Sequence, residues 1–287
     1  MATAVIEKWK QDKSPSTNAN YLTALRSLKT FTENQEIDLN GLNEPLIKAY
    51  EHWLREKSVC LNTISCYMRS LRSLYHQLGG KGDPFSAVFT GSERTEKRAI
   101  SIEDVRKIRL LKLQKGSRID LTRDIFLFCV YALGMPFVDM AHLRKHNLRN
   151  GAIVYMRHKT QQTIRVPLEP CMTDIIQKYT NDDSDYLFPI IRSLDPKKAY
   201  RQYQVSLGVY NKNLKELSQM AGIKANLTSY VVRHTWASLA YEKNVDLSVI
   251  SKALGHTDTQ TTQIYIREIN DERLATANRS LLSSFWE

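Results

Sequence analysis

A mainly α protein of two helical domains, the second carrying one small β-hairpin or sheet, is the fold class this sequence predicts. Three observations predict it. Apolar residues recur at helical spacing through the first eighty positions, a stretch rich in glycine, proline, serine and charge follows, and two β-prone runs flank a polar tip near the middle of the chain. At 287 residues with 42% hydrophobic side chains the chain can fill two modest cores. The boundaries read as a helical domain over 1–80, a linker over 81–98 and a second domain over 99–287.

The first domain opens with "STNANYLTALRSLKTFTEN", in which Leu22, Leu25, Leu28 and Phe31 share one helical face. In "LNTISCYMRSLRSLYHQLG" the same role falls to Ile64, Met68, Leu71, Leu74 and Leu78. Ser65, Arg69, Arg72, Ser73 and His76 lie off that stripe, as a surface suited to phosphates and base edges or as an ordinary solvated face. The stretch "GGKGDPFSAVFTGSERTEKRA" has the composition of an interdomain linker.

The second domain begins with a capping pattern, Ser101 followed by Asp104, and predicts helices over about 101–113 and 118–133. Arg106, Lys107, Arg109, Lys112 and Lys115 make this beginning strongly basic. "GAIVYMRHKTQQTIRVPL" reads as a hairpin with "KTQQ" at its tip. From Glu169 the pattern is helical again, broken near Asp182 to Asp195 and around Gly222 and Gly255.

Composition narrows the partners. The chain carries 41 basic and 30 acidic residues, a net charge of +11, which favours a polyanion. Residues 1–90 hold 11 basic and 9 acidic groups and the remainder 30 and 21, so the excess sits in the second domain. The longest apolar run, Ile125 to Met135, is too short for a bilayer, and "MATAVIEKWKQDK" lacks a signal-peptide core, so a cytoplasmic protein without membrane contact is expected. Cys60, Cys66, Cys129 and Cys171 form neither a CxxC pair nor a regular framework, and the carboxylates show no ligand-like clustering. Neither metal nor cofactor is expected, and a metal-dependent nuclease is disfavoured.

Four places hold residues able to do chemistry. They are Lys159 at the hairpin tip, "LTSYVVRHTWAS" with Arg233 and His234, "LGHTDTQTTQIYI" with His256 and Tyr265, and "GMPFVDMAHLRK" with Pro136. Singly, each has a structural explanation: a solvated lysine, a capping histidine, a packing tyrosine. As an ordered set they resemble the tyrosine recombinase, or phage integrase, family. That family has an arginine in an RH(T/S) box, a histidine in an LGH box and a nucleophilic tyrosine in a T-x-x-Y element. Arg233, His256 and Tyr265 fall on those slots, and Lys159 on that of the family's hairpin lysine. The motifs span roughly 99–270, and the N-terminal helices are similar in architecture to the family's SAM-like core-binding domain.

The resemblance implies a site-specific DNA recombinase, an integrase or invertase, acting as a homotetramer on two double-stranded DNA recombination sites. Tyr265 would attack the phosphate to give a 3′-phosphotyrosyl link and a free 5′-hydroxyl, conserving the bond so that no ATP is needed. Arg233 would stabilise charge on the non-bridging oxygens, His256 would share that work or manage the phenol proton, and Lys159 would protonate the leaving oxygen. Tyr230 occupies a slot that is usually His or Lys, and as a phenol still hydrogen-bonds phosphate. His234 reads as structural.

The larger departure is Pro136, which suits a helix start but stands where the family keeps its first catalytic arginine, while Gly134, Met135 and Asp139 fit. Arg123 is the expected substitute, with Arg144 as the other possibility. The chain begins with the core-binding helices, which favours a DNA invertase or the integrase of a small mobile element, and "FVDMAHLRK" with Tyr230 resembles integrases of Bacteroidetes type. In "DERLATANRSLLSSFWE", Leu274, Ala277, Leu281 and Leu282 with Phe285 and Trp286 suit a helix packed on a neighbouring subunit or on its own domain. A type IB topoisomerase-like enzyme and a DNA-binding regulator with weakened catalysis are the alternative readings.

Overall fold

The computed structural model describes residues 15–33, 35, 41–93, 98–256, 259–264, 278–279 and 282. The chain divides into two compact units, Met1–Thr95 and Glu96–Glu287.

Among the described residues the first unit contains three helices, α1 (Pro15–Phe31), α2 (Glu44–Glu56) and α3 (Leu61–Gln77). Asn43 caps α2 by accepting from the Leu46 N–H at 3.0 Å. The apolar faces of all three meet in one core that includes Ala24, Leu28, Ile47, Tyr50, Leu54, Ile64, Met68 and Leu71. Two sequence expectations need correction here. Ser65 is fully buried, because its hydroxyl donates to the Gly91 carbonyl at 2.6 Å and draws the following segment onto α3. That segment is also not a bare tether at its start, since Phe85 and Val88 are buried in the same core. Ser73 is engaged by the Tyr21 hydroxyl at 2.9 Å, leaving Arg69 and His76 as the exposed members of the polar face.

The second unit opens with α4 (Ile102–Leu110), where Ser101 accepts from the Asp104 N–H at 3.1 Å. Its centre is α5 (Arg118–Tyr131), buried on nearly all sides. A helix without a polar face must be surrounded, and helices introduced below close over it. At its C-terminal end Leu133 and Gly134 both take left-handed φ values, 58° and 69°, and turn the chain into the short α6 (Phe137–Ala141). Pro136 is the N-cap of α6 rather than its first helical residue, and its carbonyl accepts from the Asp139 and Met140 N–H groups.

A single turn of 3-10 helix (Lys145–Asn147) leads to a three-stranded antiparallel sheet in the order β1-β2-β3, formed by β1 (Leu148–Arg149), β2 (Ala152–Met156) and β3 (Thr163–Pro167). Tyr155 pairs with Ile164 and Ile153 with Val166, and all four point to the core. Beyond the sheet come α7 (Pro170–Tyr179), the long α8 (Pro196–Met220), α9 (Val231–Glu242), α10 (Leu247–Leu254) and α11 (Thr259–Gln263). α7, α8 and α9 pack on α5, and a small cluster of Ala237, Ile250 and Leu254 joins α9 to α10. Among the described residues, no helix is long and apolar enough to cross a membrane.

Candidate active site

The site is built where four segments of the second unit converge. The first is the turn after α5. A Cβ on Gly134 would come within 3.2 Å of the Arg233 Cα and 3.1 Å of the Trp236 Cβ, so only glycine lets this turn lie against α9. The close approach has a consequence: the Gly134 carbonyl accepts from Arg233 Nη1 at 3.3 Å.

The second segment is the start of α9. Arg233 lies one turn in and is 5% exposed, a placement a guanidinium tolerates only when its donors are used. Besides Gly134, its Nη2 donates to the Leu254 carbonyl and reaches His256 Nε2 at 3.1 Å. Tyr230, the residue before α9, is half exposed, with its ring 5.1 Å from that of His234. His234 itself is buried.

The third segment is the end of α10. Gly255 takes φ +62° as its left-handed cap and delivers His256 directly beyond the helix. Because a guanidinium only donates, His256 Nε2 is the acceptor in the Arg233 contact, and Nδ1 therefore carries the proton and donates to Thr262 Oγ1 at 2.9 Å. Burial, followed by the charges of Arg233, Arg157 and Lys159, pushes the His256 imidazole down to about 4. It is thus neutral at physiological pH.

The β2–β3 hairpin supplies the fourth segment. Arg157 follows β2 on the same face as Ile153 and Tyr155, is 5% exposed, and donates from Nη1 to the Gly255 carbonyl at 2.8 Å. Its N–H continues the strand pairing to the Gln162 carbonyl at 2.9 Å. The tip is fixed by Asp139 of α6, whose Oδ1 accepts from the His158 backbone N–H at 2.9 Å and from His158 Nδ1 at 3.0 Å. Lys159, next in the chain, is exposed. A cleft of about 310 Å³ joins the first, second and fourth of these segments, lined among others by Pro136, Arg157, Lys159, Tyr230 and Arg233, and His256 is tied to it through Arg233.

This arrangement of two buried guanidiniums, a neutral imidazole and a mobile-stemmed lysine is suited to a phosphate. The phage integrase family profile matches residues 103–272, more than half of the chain, and a phage integrase SAM-like domain matches residues 1–77. The chain belongs to the phage integrase family. It is by that membership a tyrosine-type site-specific recombinase. Tyrosine recombinase XerD of Listeria monocytogenes serotype 4b is 25% identical over 269 residues, covering 86% of this chain and 88% of its own. Tyrosine recombinase XerC of Halalkalibacterium halodurans is 24% identical over 275 residues, 92% and 90% of the two chains. In fold the chain is similar to the Tn1549 transposon integrase solved with transposon right end DNA, at a TM-score of 0.69 and 12% identity over 96% of this chain and 97% of that one.

Of the residues expected in an integrase-family site, the structure gathers Arg233, His256, Lys159 and Tyr230. Tyr265 lies outside the described residues, as do Leu274, Ala277, Leu281, Phe285 and Trp286. Arg123 is not brought to the cleft, and this corrects the expectation that it replaces the arginine absent at Pro136. Its guanidinium is committed to Asp120 at 2.6 Å, Asp124 at 2.8 Å and the Leu111 carbonyl at 3.1 Å. Arg144 is likewise engaged, by Asp185 at 3.6 Å and over the ring of Tyr186. Sequence reasoning missed Arg157. The signal was available in the strand's two-residue period, which puts position 157 in register with Ile153 and Tyr155 on the inward face.

Proposed function

We propose that the chain cleaves and rejoins duplex DNA at specific sites through a 3′-phosphotyrosyl intermediate on Tyr265. The observation that carries this reading is the Arg233–His256 contact at 3.1 Å on one side of a cleft that Lys159 also lines. In the forward step the Tyr265 phenolate oxygen bonds to phosphorus and the P–O5′ bond breaks. The phenol proton leaves to the imidazole or solvent, and Lys159 returns one to the 5′-oxygen. Rejoining reverses each transfer, so neither nucleotide nor metal is consumed. Arg233 stabilises the charge that builds on the non-bridging oxygens.

His256 fits this sequence electrostatically. Its imidazole is held neutral in part by three neighbouring cations. An incoming phosphate offsets those charges and raises the basicity of the ring when the phenol must lose its proton. Tyr265 follows Thr262, the hydrogen-bond partner of His256, by only three positions in the chain. Tyr230 lines the same cleft and supplies a further phenol for a phosphate oxygen.

The N-terminal helical unit is proposed as the core-binding domain and the second unit as the catalytic one. Four copies would act on two sites in the cytoplasm. Support for the assembly comes from the likeness in fold to a lambda integrase tetramer bound to a Holliday junction, at a TM-score of 0.68 and 12% identity over 94% of this chain and 78% of that one.

The test uses duplex DNA from the regions flanking the chain's own gene. Adducts that survive denaturation are sequenced to locate the cleaved bond, and a duplex nicked beside that bond then serves as a suicide substrate. A covalent adduct that Tyr265→Phe abolishes is the expected result. No adduct from the unaltered chain overturns the reading.

A further inference from the structure

The cleft holds a cation that the mechanism above leaves unused. Arg157 is 5% exposed and its Nε has no hydrogen-bond partner. Among the described residues no carboxylate lies within ion-pairing distance of it, although Asp139 lines the same cleft. A buried guanidinium without a counter-ion is costly, and Arg233 and Lys159, which line the same cleft, are cations too. Folding keeps such a cluster only if something holds it together in the free protein. The end of α10 does so: Arg233 donates to the Leu254 carbonyl and Arg157 to the next one, Gly255, at 2.8 Å. Both guanidiniums are gathered at the negative end of that helix, where its unpaired carbonyls point.

We propose that Arg157 is a second catalytic arginine, donating to a non-bridging oxygen of the scissile phosphate and supplying from the hairpin the charge that Pro136, on the same cleft, lacks. The inference rests on the phosphotyrosyl reading given above. A pentacoordinate phosphorane spreads negative charge over two non-bridging oxygens. Arg233 already spends Nη1 on Gly134 and Nη2 on Leu254 and His256. Arg157 spends only Nη1, so the rest of its fork is unassigned by any contact with a carboxylate. Placement two residues before Lys159 puts the cation and the expected proton donor on one hairpin, so that one element delivers both to the phosphate.

The competing role is structural, with Arg157 only steadying Gly255 and hence His256. A substrate pair separates the two. Replacing one non-bridging oxygen at the cleaved bond with methyl removes its negative charge, and with it the need for a cation there. The full chain and Arg157→Ala are compared on the nicked suicide duplex with a phosphodiester and with a methylphosphonate at that bond. On the phosphodiester, Arg157→Ala is expected to form adduct at least about 100-fold more slowly, the loss typical for removing one donor to the developing charge. Duplex binding by the variant is expected to persist. On the methylphosphonate, Arg157→Ala is expected to react faster than it does on the phosphodiester.

An adduct rate close to that of the unaltered chain overturns the proposal. So does a variant no faster on the methylphosphonate, which assigns Arg157 to positioning. Should the alanine variant not fold, Arg157→Met keeps the aliphatic stem and is read in the same two ways. Absence of adduct from the unaltered chain is a different failure, that of the recombination chemistry itself.

Discussion

His256 joins the electrostatics of the site to the stability of the fold. In the unfolded chain its imidazole titrates near 6.5, whereas burial and the neighbouring cations hold it at about 4 in the DNA-free fold. Between those values the unfolded state binds more protons than the folded one, so stability rises with pH through that window. The folded protein is therefore expected to melt at a lower temperature at pH 5 than at pH 7, with the loss developing as pH falls below 6.5. His142, also depressed by burial, adds a dependence of the same sign. Comparing melts of the unaltered chain and His256→Gln at the two pH values removes that background. Glutamine does not titrate, so the variant should lose less of its melting temperature on acidification, and identical losses would contradict the account.

At the scale of elements, the helices were legible because their apolar spacing is also their packing: α3 buries Ile64, Met68, Leu71 and Leu74 of the stripe read from the sequence, whereas α1 buries Leu28 of its stripe together with Ala24, and packs Leu25 and Phe31 at the edge of the core. Ser65 was misread because a serine among arginines looks solvated, and only the distant Gly91 carbonyl makes it internal. Arg233, His256 and Lys159 were legible through ordered motifs, yet their convergence depends on the Gly134 turn and the Gly255 cap, which bring together positions far apart in the chain. Arg123 was misplaced because sequence order says nothing of which face of α5 it takes. That face carries Asp120 and Asp124, both also held by Lys178 of α7 at 2.7 and 2.6 Å. Tyr179 donates to Asp124 as well, at 2.9 Å. Arg123 thus balances two buried carboxylates that lock α5 to α7. Arg123→Ala is expected to cost about 3 kcal/mol of unfolding free energy, the low end for breaking a buried pair because Lys178 stays. The rate of adduct formation should be unchanged at a temperature where the variant is folded. Denaturant titration measures the first and the suicide duplex the second, and a slowed rate in a folded variant would return Arg123 to the site.

The whole molecule carries a charge that its folded contacts do not consume. Much of the acidic complement is already paired: Asp120 and Asp124 with Arg123 and Lys178, Glu216 with Arg118, Glu51 with Arg55. The excess of +11 is thus left on surfaces and in the cleft, where Arg157, Lys159 and Arg233 gather without a matching set of carboxylates. It is also uneven, for residues 1–90 are nearly balanced while the rest of the chain carries 30 basic and 21 acidic groups. Such a distribution stores little binding energy in shape and much in counterions displaced from a polyanion. Each phosphate neutralised adds about −0.9 to the slope of log affinity against log salt on duplex DNA. With about four or more phosphates engaged, affinity for a duplex of arbitrary sequence should fall at least roughly 100-fold between 50 and 200 mM salt. Fluorescence anisotropy on a labelled duplex across that range measures the slope directly. A flat response would mean that the basic excess is turned away from DNA, and the second unit would then need another polyanion to account for its charge.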